Sequence, residues 1–196
     1  GKNYRFNTTS AQALRARTYL YMGRWSDAFE ASKDVLSVYN ELEDMNNSTT
    51  LPNSYKSKES IVALERFSSN LYTAVDMPAS EFISLYRSGD QRRTKYFKRV
   101  TSSTYSLLKG RSDEFSSSFR TAEFYLTAAE AAARLGHTTD AINYLTPLMA
   151  KRLNTSAYQT TTALIGTMTA EELIQEILDE RARELAFEGH RWYDLR

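Results

Sequence analysis

The chain of 196 residues contains no cysteine. That excludes a disulfide scaffold, a thiolate zinc site and a cysteine nucleophile, and it leaves the compartment open. Breakers are scarce, with 3 prolines and 7 glycines, so long uninterrupted elements are expected. No apolar run approaches the ~20 residues that span a bilayer. The opening residues, Gly1-Lys2-Asn3-Tyr4, have none of the features of a signal peptide. An excess of either charge is missing too: 25 Lys and Arg face 24 Asp and Glu, for a net charge of +1. A dedicated nucleic-acid binder needs a basic excess on one face, so no nucleic-acid partner is expected. The only two histidines, His137 and His190, stand apart. A Glu188/His190/Asp194 trio matches no common metal spacing, and the glycines are scattered singly with no phosphate loop. Neither a metal, a cofactor nor a catalytic set is expected.

What is present is ordinary for a folded protein: 41% apolar and 25% charged residues. A chain of this size buries roughly 70% of the surface that its unfolded form exposes. The 13 tyrosines stand out, because they supply surface that packs and hydrogen-bonds at once.

The apolar periodicity is helical at both ends of the chain. Thr9 and Gln12 have the spacing of a capping box, and Ala13, Leu14, Ala16, Tyr19 and Leu20 follow at helical spacing. Gly23 interrupts, and a second run goes from Trp25 to Tyr39. The short link between them requires antiparallel neighbours. Residues 40–79 read as an irregular insertion in which Ile61-Val62-Ala63-Leu64 is too short to assign by period. Ser80 reads as the N-cap of a helix carrying Phe82, Ile83, Leu85 and Tyr86. The basic run Arg92 to Arg99 reads as a solvated helix face, and 100–118 as a second insertion.

An Ala-rich helix is expected from about Thr121 to Leu135, and its partner from about Thr139 to Leu153, kinked or broken at Pro147. A Thr-rich loop over 155–163 then leads to the capping box Thr169–Glu172 and a helix with the stripe Leu173, Ile174, Ile177, Leu178, Ala182 and Leu185. The two hairpins align. Gly23-Arg24-Trp25-Ser26-Asp27-Ala28 matches Gly136-His137-Thr138-Thr139-Asp140-Ala141, with Gly for the turn, Asp for the positive helix end and Ala for close approach. This is the turn and second helix of a tetratricopeptide-like (TPR) unit. The expected fold class is all-α: TPR-like hairpins at about 9–39 and 121–153 with irregular loop insertions, in one domain over 1–196.

Glu180, Glu184 and Glu188 fall at i, i+4 and i+8 on one helical face and repel unless cations intervene. Arg181, Arg183 and Arg191 are close enough in sequence to neutralise them, so a structural ion-pair network is expected in place of catalysis.

The run Glu180-Arg181-Ala182-Arg183-Glu184-Leu185-Ala186-Phe187-Glu188-Gly189-His190-Arg191-Trp192-Tyr193-Asp194-Leu195-Arg196 resembles the signature of SusD/RagB-type outer-membrane lipoproteins of the Bacteroidetes. Three more stretches agree with that family: Arg120 to Ala131, Ser80 to Arg93 with its Gly89-Asp90-Gln91-Arg92-Arg93, and Ala11 to Tyr39. Family members are longer and carry an acylated N-terminal cysteine, so the resemblance implies a fragment whose N-terminal lipid anchor and C-terminal tail lie elsewhere.

The resemblance further implies a non-enzymatic, surface-exposed outer-membrane lipoprotein. Such a protein binds oligosaccharide or another nutrient and passes it to a TonB-dependent SusC-like transporter. A TPR-type peptide adaptor is the alternative, and a glycoside hydrolase a more remote one. The signature then serves architecture, with Phe187 and Trp192 in the core, Glu184, Glu188 and Arg191 paired around them, and Gly189 and Asp194 completing it. Sugars present apolar faces ringed by hydroxyls, which suits loop-borne aromatic, amide and guanidinium groups. The candidate ligand residues are therefore Tyr55, Arg66, Asn70, Tyr72 and Tyr158.

Overall fold

The computed structural model describes residues 4–65, 78–110 and 115–195. Helices dominate it. The first hairpin is α1 (Thr8–Tyr21) and α2 (Trp25–Val38). After β1 (Ser60–Glu65) come the short α3 (Ser80–Ser84), α4 (Gln91–Tyr96), β2 (Phe97–Arg99), β3 (Tyr105–Leu107) and β4 (Phe115–Arg120). The second hairpin is α5 (Thr121–Arg134) and α6 (Thr138–Ala150), followed by α7 (Thr155–Ile165), α8 (Ala170–Glu184) and α9 (Arg191–Asp194).

The two hairpin turns are built identically. Gly23 has φ +69° and Gly136 φ +79°. In the first turn the Gly23 and Arg24 amides donate to the carbonyls of Leu20 and Tyr19; in the second those of Gly136 and His137 donate to Ala133 and Ala132. Both are Schellman motifs, in which the residue after the helix takes the left-handed conformation that glycine adopts without a Cβ penalty. Asp27 and Asp140 then sit in the first turns of α2 and α6, and Ala28 and Ala141 are both fully buried. The repeat therefore extends to individual hydrogen bonds.

Helix α5 is the axis of the molecule. Every residue except Tyr125 and Arg134 is buried, because α2, α6 and α8 pack around it. Its small side chains, Ala122, Ala128, Ala129, Ala131, Ala132 and Ala133, let these neighbours approach closely. One core joins α5, α6, α7 and α8 through Leu126, Leu145, Leu148, Ile165, Leu173 and Ile177. A second lies under the first hairpin, where Val35, Leu36, Ile61, Val62, Phe119 and Phe124 meet. A third, rich in aromatic rings, holds Met45, Ile83, Tyr86, Tyr96, Phe97 and Leu107.

Several local expectations change. The apolar run at 61–64 is a strand: β1 pairs antiparallel with β4, with Ser60 opposite Arg120 and Val62 opposite Phe119. A second ribbon, β2 with β3, places Phe97 opposite Leu107. The insertions are thus partly ordered by strand pairing, whose partners are too distant in sequence to be read locally. The cap of α1 is Asn7, whose side chain accepts from the Ser10 amide, and not Thr9. Helix α3 starts at Ser80 after Ala79, with no side-chain cap. Helix α6 runs unbroken through Pro147. The Thr-rich stretch expected as a loop over 155–163 is helix α7: Asn154 caps it, Thr160 and Thr162 donate to carbonyls one turn back, and Thr161 and Ile165 are buried. Those local hydroxyl bonds satisfy the polar groups that otherwise favour turns.

Candidate functional site

The signature forms a closed ionic cluster at the end of α8. Glu184, fully buried, is gripped by three arginines. Arg120 reaches its Oε1 at 2.5 Å, Arg152 approaches both oxygens at 2.9 Å, and Arg92 reaches Oε2 at 2.9 Å. Arg92 also contacts Glu180 at 2.6 Å and Asp90 at 2.7 Å. Arg152 contacts Glu59 at 2.6 Å, and Arg120 contacts Glu188 at 2.8 Å. Lys109 closes the far side, donating to Glu188 at 2.5 Å and to the carbonyls of Glu184 and Ala186 at 2.8 and 2.9 Å. Arg183 pairs with Glu180 and Glu176, and Glu176 also holds Arg87. Six cations (Arg87, Arg92, Lys109, Arg120, Arg152 and Arg183) thus face six carboxylates (Glu59, Asp90, Glu176, Glu180, Glu184 and Glu188).

Burial by itself raises a carboxylate pKa, and here the arginines outweigh it. Glu184 is driven well below its usual range by Arg152, Arg120 and Arg92, and Glu188 down to about 2 by Arg120 and Lys109. Glu180 is lowered in the same way by Arg92 and Arg183. Burial lowers the Lys109 ammonium to about 8 against the pull of Glu188. A glycosidase acid must retain its proton near neutral pH, and these three carboxylates are all held ionised and bonded.

The expected neutralisers differ from those found. Of Arg181, Arg183 and Arg191, only Arg183 pairs with the acidic face. Arg181 turns to Asp194 at 3.0 Å and Glu130 at 3.5 Å. Arg191 is exposed and pairs with no carboxylate among the described residues. The residues that do the work, Glu59, Arg92, Lys109, Arg120 and Arg152, come from distant segments. Arg92 and Tyr96, both fully buried at i and i+4, also overturn the reading of 92–99 as a solvated face. Phe187 and Trp192 are not in the core, at 41% and 76% exposure. Phe187 adopts φ +61° in the turn after α8 and meets Phe82 and Phe97 edge-on, while Gly189 takes φ +84° two residues later. His190 is buried against the Tyr21 hydroxyl at 3.2 Å.

Among the ligand candidates, Arg66, Asn70 and Tyr72 lie outside the described residues. Tyr55 is half-buried in the loop before β1, with the Lys56 ammonium 5.4 Å from its ring centre. Tyr158, on α7, is half-buried and packs against the α5–α8 core.

The outer surface of the cluster carries an open cleft. The turn Arg87–Asp90 is stitched to the chain after α6: Gln91 donates to the Arg152 carbonyl and Asn154 to that of Gly89, both at 2.9 Å. Gly89, at φ +83°, is required there, since a Cβ would lie 2.8 Å from Ala157 and Asn154. On one side of this turn a cleft of about 640 Å³ opens over α4 and the β2–β3 ribbon, with Phe97, Tyr105, Arg93, Lys98 and Arg99 in its wall. On the other side a groove of about 390 Å³ is lined by Ser88, Asn154, Ser156, Thr160 and Thr161.

The family model for the SusD family matches residues 16–196. The chain belongs to the SusD family. Solved structures share its fold. A putative sugar binding protein from Bacteroides vulgatus superposes with a TM-score of 0.78 at 21% identity, covering 99% of this chain and 48% of that one. A SusD superfamily protein from Bacteroides thetaiotaomicron gives 0.77 at 23% identity, covering 96% and 49%. A SusD-like carbohydrate binding protein from Bacteroides vulgatus gives 0.75 at 22% identity, covering 100% and 46%. This SusD-family chain thus spans about half the length of the solved structures it matches. No curated protein matches it. Among the described residues, no helix is long and apolar enough to cross a membrane.

Proposed function

We propose that this chain is part of a non-catalytic, surface-exposed binding protein. It captures oligosaccharide at the outer membrane, held there by a lipid anchor, and hands it to a SusC-like TonB-dependent transporter. The observation that carries this reading is the family match over residues 16–196, together with a signature whose acids are consumed by arginines and lysine. Two similar structures, bearing the descriptions carbohydrate binding protein and putative sugar binding protein, support the ligand class. The helical hairpins supply a rigid frame, and the proposed ligand contacts are Tyr55, Arg66, Asn70 and Tyr72 from the insertion between them together with Tyr158 on α7.

Isothermal titration of the whole protein against a panel of plant and host oligosaccharides tests the reading. Saturable binding with no release of reducing ends is expected. Hydrolysis of a bound glycan, or binding of short peptides with no sugar affinity, would overturn it in favour of a hydrolase or an adaptor. Co-purification with a TonB-dependent transporter from outer membranes tests the delivery step.

A further inference from the structure

The cleft over α4 and β2–β3 differs from the ionic cluster beneath it in its charge. Elsewhere along α4 and α8 an arginine has a carboxylate at hydrogen-bond distance; Arg92 alone has three. In the cleft wall, Arg93 and Lys98 are exposed and have no acidic partner among the described residues. Arg99 is fixed nearby by neutral groups, its Nε donating to the Thr101 carbonyl at 3.0 Å and its Nη2 to Ser102 at 2.9 Å. Those bonds orient the guanidinium and leave its charge uncompensated. The single carboxylate lining the cleft, Asp90, is spent: one oxygen accepts from the Arg92 amide and Nε, the other from Arg92 Nη2 at 2.7 Å. Tyr105, half-buried, also lines the cleft, while Phe97 beside it is buried in the aromatic core.

We infer that this cleft binds an acidic oligosaccharide, one whose sugar units carry carboxylate or sulfate groups. The inference rests on the saccharide-binding reading above and names its substrate class. An oriented guanidinium beside exposed cations with no carboxylate partner among the described residues suits anionic oxygens, and Arg forks bind carboxylate and sulfate bidentately. The half-buried Tyr105 ring in the cleft wall suits the C–H face of a pyranose. A neutral glycan would leave Arg93 and Lys98 unanswered, and a cleft of about 640 Å³ has room for more than one sugar ring.

The test is titration of the whole protein at low salt with a hexamer of galacturonic acid, a sulfated chondroitin tetrasaccharide, maltohexaose as neutral probe and a poly-glutamate peptide of matched charge. Arg93→Glu/Lys98→Glu is the cleft variant; both side chains are exposed, and an unchanged melting curve confirms its fold. Either acidic oligosaccharide should bind, weaken as salt rises, and lose roughly tenfold or more of its affinity in the variant. Comparison of the two acidic probes separates carboxylate from sulfate recognition. Equal affinity in variant and parent overturns the assignment to this cleft. Binding of maltohexaose alone, unchanged in the variant, overturns the acidic class and leaves the saccharide reading standing. Equal binding of poly-glutamate overturns it as a sugar site, and failure of every saccharide removes both readings together.

Discussion

Arg92 and Arg93 are neighbours in the chain with opposite fates. Arg92 is fully buried among three carboxylates, whereas Arg93 stands in solvent on the wall of a cleft. The lesson is that the inner face of α4 is committed to holding the frame together and its outer face is left available for a ligand. A buried ion pair contributes little net stability relative to an apolar replacement, yet removing one partner leaves a costly unpaired charge. An exposed cation costs almost nothing to keep or lose. The two sides of one short helix should therefore respond very differently to substitution.

The largest effect is expected at the centre of the cluster. Glu184→Ala leaves Arg92, Arg120 and Arg152 short of their shared counter-charge. A loss of about 3–5 kcal/mol is expected, read as a fall in denaturant midpoint or as failure to accumulate folded protein. Acid should act on the same point. The folded pKa values of Glu180, Glu184 and Glu188 are depressed, so their stabilisation is fully present above the ordinary carboxylate value of 4.5. It is lost as pH falls through the folded values, which for Glu188 means toward pH 2. Unfolding measured between pH 5 and pH 2 should steepen across that window, and a flat profile would contradict the cluster. Lys109 adds a slope of the same sign at high pH: buried and lowered to about 8, it binds fewer protons folded than unfolded, so the fold should gain stability as pH rises from there toward 10.5.

A smaller effect is expected at the stitched turn. Gly89→Ala forces a Cβ against Asn154 and Ala157 in a left-handed conformation, for about 1–3 kcal/mol by thermal melting. The smallest effects belong to the outer face: Arg93→Ala and Trp192→Ala should each shift stability by no more than about 0.5 kcal/mol. If Arg93→Ala destabilised as much as Arg92→Ala, the contrast between the two faces would fail.

Much of the frame was legible because it rests on local chemistry. Gly23 and Gly136 end helices by a backbone rule that needs no distant partner, and the aligned Asp and Ala after them mark the second helices. The demand of Glu180, Glu184 and Glu188 for counter-charge was legible as well. Its supply was not, since Arg120 and Arg152 flank α5 and α6, Lys109 follows β3, and Glu59 precedes β1. The burial of Arg92 four residues before buried Tyr96 left a helical trace in the pattern, obscured by the basic neighbours around it. The placement of Trp192 failed for a related reason: an aromatic in a signature reads as core, and only packing tells which side of a short helix it takes. The cleft was the least visible, because Asp90 reads as a turn residue and Arg93 and Lys98 as part of a solvated helix face until Arg92 is seen to consume the acid.

By itself the sequence determined the helix pairs, their turns, the Ala-rich axis and the need to neutralise three aligned glutamates, all of which follow from backbone stereochemistry, periodicity and like-charge repulsion over a few residues. Only the tertiary structure decided which cations meet those glutamates, that 61–64 is a strand, and which basic residues have no counter-charge among the described residues. Those outcomes depend on segments dozens of residues apart arriving at one place, where low-dielectric surroundings make every unpaired charge expensive and so settle which arginines turn inward.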